Sequence, residues 1–593
     1  MSDAKGEGVD IRAPIDQGIS IMIGGDAGQG VESSGAGFAL ALARAGLQVF
    51  ALQDYRSQIR GGHNFYEIRI ANRPLYSHRE PIHVLLALTP ESIALHLDVL
   101  APGGAVIYPD KFEVDRAALE SRGVRAEALP LSAIAEQHGN RLMLNTAGLG
   151  AIAALTGFPL RFMEEVIQEN FGKKSATLAE ENIAVAREAH TVALERFGES
   201  FPYRVVPDEQ APRRMLMHGN EALALGALAG GCRFISAYPM TPGTSVVEWL
   251  AAVPDEYAMV VKHAEDEIAA VCMALGASFA GARAMTSTSG GGFSLMVEAM
   301  GLAGMTEVPL VIVEAQRGGP STGLPTRTEQ SDLLFAAHAA QGEFPRIITA
   351  PGTVEECFEA GWRAFNLAER YQCPVVVLTD SFLASSLRTL EMDAIDFSKV
   401  VIDRGKTLAP EESAAQAGYR RFELSGDGIS PRAIPGYEGA VITTASDEHD
   451  ETGHITEDSE NRVRMMNKRM RKMETAAAEI RPPSLYGPAG ADLTIACWGS
   501  TVGPCREAVD EMLQAGASVN LLQFTDLLPM DGDAVRQTLE ACHRIVTVEQ
   551  NYTGQLGKLL RMTAGVAPHH TLNKFDGRPF SPREIMAGLE GIA

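Results

Sequence analysis

Glu265, Asp266 and Glu267 stand side by side in HAEDEIAAVCMALGASFAGARAMTSTSGGG, heading an apolar, small-residue run that ends in three glycines. Helix neighbours are set about 100° apart, so the three cannot share one face, and one carboxylate can point inward while the others meet water. Carboxylates in a first turn also complement the helix dipole, worth ~0.3–1 kcal/mol each. That role accounts for two of them, and on spacing alone it extends to all three. The chemical alternative turns Glu267 inward beside IAAVCMALG, where loss of water favours the neutral acid and makes it a donor to a ring nitrogen.

Three other segments add groups with chemistry. AYPMTPGTS sets Thr241 between two prolines, in a turn rigid enough to fix its hydroxyl. TSTSGGG, with Ser289 and Gly290, lets backbone come close to a ligand. VEAQRGGPSTGLPTRTEQSD carries Arg317, Thr326 and Arg327 in a loop rich in glycine and hydroxyls, and Arg317 can grip a carboxylate through two parallel hydrogen bonds. Each alone reads equally well as a surface turn or an exposed ion pair. Their common place at the C-terminal ends of predicted strands, where α/β proteins bind ligands, makes them a candidate site.

A fourth feature lies near the start. GGDAGQG, with Gly25, Gly28 and Gly30, joins a predicted strand to a predicted helix, and such a turn can present backbone N–H groups to a phosphate. It is no clean G-x-G-x-x-G and lacks the lysine of a P-loop, so a packing role for the glycines stands beside the binding role.

The elements that must hold these groups alternate. ISIMIG, QVFALQ, NFYEIRIAN, HVLLALTP and GAVIYP predict strands of a first α/β domain over residues 1–205, followed by the polar linker PDEQAPRR. FISAYP, ARAMTST, LVIVEAQ, RIITAP and PVVVLTD predict a second over 206–395. Residues 396–485 lose the apolar runs and read as a long, polar, solvated connector with one charged helix near 460–480. Residues 486–593 return to strand and helix. The fold class is α/β, in three domains, with parallel or mixed sheets.

The 593 residues are too many for one core. A net charge of −24 argues against a nucleic-acid or anionic-membrane partner. No export signal and no apolar run of spanning length is visible, which predicts a cytoplasmic protein. The seven cysteines are scattered without a C-x-x-C pair, as expected of reduced thiols, and do not have the spacing of an iron–sulfur cluster.

HGNEALALGALAGG, FISAYPMTPGTS, the Glu267 segment, TSTSGGGFSLMVEAMGLAGMTEVPLVIVEAQRGGPSTGLPT and DGISPRAIPG together resemble the alpha subunit of 2-oxoacid:ferredoxin oxidoreductases. GGDAGQG with YRSQIRGGHNFYEIRI resembles the family's gamma domain fused ahead of alpha, and the resemblance extends over nearly the whole chain. It implies a thiamine diphosphate pyrimidine-binding domain in the middle and a transketolase C-terminal-like domain last. It further implies oxidative decarboxylation of a 2-oxoacid with coenzyme A, 2-oxoglutarate to succinyl-CoA being the nearest branch, with electrons passing to ferredoxin.

By the same resemblance Glu267 contacts the pyrimidine ring nitrogen, and Ser289 and Gly290 line that side of the cofactor. Thr241, Arg317 and Thr326 meet substrate, and Gly25, Gly28, Gly30, Arg56 and Arg60 are available to coenzyme A. The family's magnesium–diphosphate motif, GDG followed 25–30 residues later by Asn, is not met by Gly426, Asp427 and Gly428 in LSGDGIS. His449 and His454 sit in a charge run that reads as solvated, and no metal is assigned there. A separate beta subunit is therefore expected to bring Mg2+, the diphosphate site and a [4Fe–4S] cluster, in a dimer of alpha–beta pairs. The alternatives are pyruvate or a branched or aromatic 2-oxoacid as substrate, or a scaffold that kept the fold without the chemistry.

Overall fold

The computed structural model describes residues 18–56, 62–197, 201–253, 255–416 and 418–592. They fall into two compact units, one of Met1–Met217 with Ser386–Ala394, the other of His218–Ser385 with Ile395–Ala593.

The first unit is built on an eight-stranded mixed sheet. Its strands are β1 (Ile19–Asp26), β2 (Gln48–Asp54), β3 (His63–Ala71), β4 (Ile82–Ala87), β5 (Leu100–Pro109), β6 (Arg125–Leu129), β7 (Arg214–Met217) and the segment Leu387–Glu391. The order is β6-β5-β4-β1-β3-β2, then Leu387–Glu391, then β7. The run β1 is buried over all but its last residue, as an apolar strand covered on both faces must be. β3 lies antiparallel to both β1 and β2, which makes the sheet mixed. The unit reaches beyond the expected residue 205, because Arg214–Met217 and Leu387–Glu391 hydrogen-bond to each other along its edge.

The second unit carries β8 (Phe234–Ala237), β9 (Val260–His263), β10 (Ala284–Thr288), β11 (Leu310–Gln316), β12 (Ile347–Thr349) and β13 (Pro374–Asp380). Numbering the Leu387–Glu391 strand β14, the rest are β15 (Ser484–Tyr486), β16 (Leu493–Trp498), β17 (Val519–Phe524), β18 (Asp526–Leu528), β19 (Ile545–Glu549) and β20 (His570–Asn573). One sheet runs β18-β12-β13-β11-β10-β8-β9 and the other β15-β17-β16-β19-β20. β18, from the C-terminal part of the chain, joins the middle sheet antiparallel to β12. Met296, Ile312 and Leu378 of the middle segment share one buried cluster with Trp498, Phe524 and Leu560 of the last. The two segments therefore fold over a common core.

The expectation of a solvated connector is corrected. Its charged helix, Ser459–Ala477, buries Lys468, Arg469 and Lys472. Lys468 Nζ lies 2.6 Å from Glu307 Oε1, and Lys472 binds the other oxygen of the same carboxylate. Arg469 makes a two-pronged pair with Glu448 at 3.0 and 2.7 Å. Composition reads this helix as solvated because its counter-charges, Glu307 above all, lie far away in sequence.

Candidate active site

The three carboxylates meet three fates. Glu265 is exposed, and Asp266 caps the Glu267–Phe279 helix by accepting from the Ala269 N–H at 2.7 Å. Glu267, the first helical residue, is 4% exposed, and its buried Oε1 has no hydrogen-bond partner. The carboxyl presses onto Gly292, in the first turn of the Gly290–Met305 helix. A Cβ at Gly292 would stand 2.1 Å from Thr288 Oγ1 and 2.6 Å from Glu267 Oε1, so only glycine fits. Ser289 caps that helix in sequence, yet its buried Oγ also lacks a partner. Leaving a buried polar group unsatisfied costs about 1–3 kcal/mol, and here two such groups, Glu267 Oε1 and Ser289 Oγ, lie at one helix start, where a partner can come from outside the chain.

The Thr241 turn follows β8 and is held from three directions. Asn220 Nδ2 donates to Pro242 O at 2.9 Å, Ser287 Oγ to Gly243 O at 2.8 Å, and Arg317 Nη1 to Thr241 O at 2.8 Å. Gly243 itself sits so near β10 that a Cβ would meet Thr288 O at 2.7 Å. Arg317 leaves the C-terminal end of β11 into a loop closed by Leu324 N–H to Gly318 O at 2.7 Å and Gly318 N–H to Arg327 O at 3.1 Å. Thr326 lies half-buried in the returning arm of that loop. The structure thus joins Thr241 directly to Arg317 and places Glu267, Ser289 and Gly290 around one helix start.

Sequence reasoning missed Gly292, although it is the third glycine of the quoted GGG. It also missed Glu314 and Asp332. Asp332 packs on Gly290, where a Cβ would meet its Oδ2 at 2.4 Å. A lone carboxylate inside the apolar strand LVIVEAQ was the available signal for Glu314.

In the first unit, the GGDAGQG turn closes on itself. Gln29 Oε1 accepts from Asp26 N–H at 2.8 Å, and Asn145 Nδ2 donates to Gln29 O. Gly25 is a packing glycine, since a Cβ there would meet Gln29 Oε1 at 2.6 Å and Leu88 at 3.1 Å. Gly28 and Gly30 are exposed and left-handed, with φ of 89° and 73°. Arg56 is exposed, its N–H donating to Asn64 Oδ1 at 3.0 Å, while Arg60 lies outside the described residues. Asp427 of the GDG triplet is ion-paired to Lys406 at 2.7 Å and accepts from the Ile429 N–H. His449 is buried against Phe422, ring centroids 4.1 Å apart, whereas His454 is exposed and hydrogen-bonds Thr452. Its place in the core, not in solvent, corrects the reading of that charge run for His449.

Three family profiles match in order along the chain. They are described as "Pyruvate ferredoxin/flavodoxin oxidoreductase" over residues 20–192, "Pyruvate flavodoxin/ferredoxin oxidoreductase, thiamine diP-bdg" over 225–468, and "Pyruvate:ferredoxin oxidoreductase core domain II" over 491–585. The chain is 34% identical to 2-oxoacid:ferredoxin oxidoreductase 2, subunit alpha, of Aeropyrum pernix, across 97% of each. It is 29% identical to 2-oxoglutarate oxidoreductase subunit KorA of Mycobacterium tuberculosis, over 92% of this chain and 87% of that one. It superposes with a TM-score of 0.90 and 34% identity on the 2-oxoglutarate:ferredoxin oxidoreductase from Magnetococcus marinus with 2-oxoglutarate, coenzyme A and succinyl-CoA bound, covering 97% of this chain and 99% of that one. With a thiamine diphosphate-binding profile matched across the segment that holds Glu267, and with the Aeropyrum pernix subunit 34% identical over 97% of each chain, the chain belongs to the 2-oxoacid:ferredoxin oxidoreductase family, as an alpha-type subunit.

Proposed function

We propose that this chain is the gamma–alpha subunit of an enzyme that oxidatively decarboxylates 2-oxoglutarate with coenzyme A, giving succinyl-CoA and carbon dioxide and passing electrons to a ferredoxin. The observation that carries the reading is the Glu267 carboxyl, buried with an unused oxygen against Gly292. That oxygen suits a pyrimidine ring nitrogen, and the Ser289 hydroxyl offers a second polar contact beside it. When bound, thiamine diphosphate supplies a nucleophilic carbon for the 2-oxoacid carbonyl. Glu267 holds a proton at the ring nitrogen, in a site dry enough for that proton to matter. Arg317 braces the Thr241 turn and sets a positive charge beside it, as a substrate carboxylate requires, with Thr241 and Thr326 as hydroxyl contacts.

The choice of 2-oxoglutarate is supported by the ligands named with the Magnetococcus marinus enzyme and by the KorA relative. A beta subunit bringing Mg2+, the diphosphate grip and a [4Fe–4S] cluster completes the reading, since Asp427 is already committed to Lys406. Ile268 and Met273 on one site helix and Leu295 on the other are 51%, 43% and 49% exposed, an apolar face suited to that partner. Residues 1–205, with β7 and β14 added along their sheet, form the gamma-type domain, the rest of 206–395 the pyrimidine-binding domain, 396–485 a connector anchored on it through Glu307, and 486–593 the transketolase C-terminal-like domain. Gly28, Gly30 and Arg56 are the gamma-domain groups offered to coenzyme A. The complex is a cytoplasmic dimer of alpha–beta pairs. Among the described residues no helix is long and apolar enough to cross a membrane.

The test is turnover of the copurified two-subunit complex with a panel of 2-oxoacids and a one-electron acceptor. The expected result is a kcat/KM for 2-oxoglutarate at least about tenfold above pyruvate, branched and aromatic 2-oxoacids, a difference of about 1.4 kcal/mol in transition-state binding. Preference for another 2-oxoacid overturns the substrate, and no turnover with any of them favours a scaffold. A second prediction concerns the glycine under Glu267. Gly292→Ala forces the Thr288 hydroxyl and the Glu267 carboxyl apart, an overpacking cost of about 1–3 kcal/mol. Thiamine diphosphate affinity, read by calorimetry on the complex, is expected to drop at least about tenfold.

A further inference from the structure

We propose that Glu314 and Asp332 form a carboxyl pair that shares one proton and thereby positions the first turn of the Gly290–Met305 helix for the aminopyrimidine. The inference rests on the thiamine reading above and adds a positioning device to it, with a pH dependence of its own.

Glu314 lies in β11, every residue of which is buried, and neither of its carboxyl oxygens has a conventional hydrogen-bond partner. The acid brought up beside it is Asp332, whose N–H is held by Gln316, two residues along the same face of β11, and whose Oδ2 lies over Gly290, just past Thr288, the register partner of Glu314. An ionised carboxyl only accepts, so two of them in contact need a proton between them. Burial first, and each other second, push Glu314 well above the usual carboxyl range, and burial raises Asp332.

Asp332 is held there deliberately. Its N–H donates to Gln316 Oε1 at 3.0 Å, and Gln316 Nε2 donates to Thr379 O at 3.1 Å. Gln316 and Glu314 are two apart on one strand and so share a face. The Asp332 side chain makes no capping bond to its own Leu333–His338 helix and lies instead on Gly290. Thr288, in register with Glu314 across β10 and β11, closes on Gly292 together with Glu267. Glu267 and the carboxyl pair thus grip neighbouring residues of one helical turn.

Arg317, just past the end of β11, is turned to Thr241 O, and the neighbouring acids are engaged with donors of their own. Glu329 accepts from the Gly319 N–H and Ser331, and Asp380 from Thr328 and the Phe382 and Leu383 N–H groups. Glu267 lies on the far side of Gly292 and is itself acidic. A helix N-terminus supplies about half a positive charge, too little to neutralise two carboxylates in such a setting. When the shared proton leaves, two carboxylates repel in a dry site, and Asp332 moves off Gly290.

The experiment titrates thiamine diphosphate with Mg2+ into the cofactor-free two-subunit complex across neutral to alkaline pH, for wild type and Glu314→Gln. In the variant the amide N–H donates to Asp332 permanently. Wild-type affinity is expected to fall by up to about tenfold per pH unit once the shared proton is lost, and the variant to change by less than about twofold over the same range. Equal slopes in the two proteins, or a flat wild type, overturn the pair. A wild-type complex that binds no thiamine diphosphate at any pH sinks the functional reading instead. The pair is then judged by thermal unfolding of this chain. An acid whose affinity for its proton is raised by folding loses stability as pH climbs above the ordinary carboxyl range. The midpoint of Glu314→Gln should therefore rise relative to wild type with increasing pH, and a difference independent of pH overturns the shared proton.

Discussion

In a copurified complex carrying Glu267→Ala, 2-oxoacid-dependent reduction of a one-electron acceptor is expected to fall by about 10²-fold or more, the range of a lost acid–base group. Glu267→Gln should lose nearly as much, because an amide fills the space and hydrogen-bonds but carries no exchangeable acid proton. Neither variant should unfold the protein. Glu267 Oε1 has no partner in the structure, so replacing the carboxyl removes a buried, unsatisfied group and does not break a pair. The thermal midpoint should hold or rise while turnover collapses, an exchange of stability for activity familiar at active sites. Wild-type turnover in Glu267→Gln would end the assignment of Glu267 to the cofactor.

The largest stability effect is expected at Glu307. Its fully buried carboxylate holds Lys468 and Lys472, and its backbone oxygen takes Arg421 Nη2. Burial opposes the charge on Glu307, but the two lysines and Arg421 outweigh it and keep the carboxyl far below its ordinary range. Burial pulls Lys468 down to about 8 despite Glu307. Glu307→Gln leaves two buried ammonium groups without their counter-charge, a loss of ~3–5 kcal/mol. The chain is too large for one all-or-none transition, so the effect is read as the earlier melting of the second unit. The loss should deepen as pH falls from alkaline toward neutral, and shrink again in acid, where protonation of Glu307 takes away the wild type's own advantage. Without Glu307 the lysines bind protons less readily when folded than when unfolded, so folding is penalised as pH falls and relieved as they deprotonate. A deficit that grows between neutral and alkaline pH would contradict this account.

The strands that carry the site were legible because each is a short apolar run closed by turn residues. Glu267 was legible as the inward member of the triplet, but the helix boundary, not helical faces, separates the three: Glu265 precedes the helix in solvent, Asp266 caps it and Glu267 is its buried first residue. The Thr241–Arg317 contact joins residues far apart in sequence and follows only from the adjacency of β8, β10 and β11 in the sheet. Buried charge was the blind spot. Lys468, Arg469 and Lys472 look like a solvated helix until Glu307 and Glu448 are brought to them. Glu314 was passed over for the opposite reason: one acid leaves the periodicity of LVIVEAQ intact, so its only signal is the oddity of a carboxylate in so apolar a strand.

β14 is seated between β2 and β7 and hydrogen-bonded to both. The chain leaves the first unit at Met217, travels from His218 to Ser385, and returns for these few residues before departing again. Such a path has no clean genetic seam. A reading frame cut after Met217 would release a protein whose β2 lies open and whose β7 has lost its neighbour, the kind of edge that recruits foreign strands. Gene fission here would have to carry the returning strand along, or replace it.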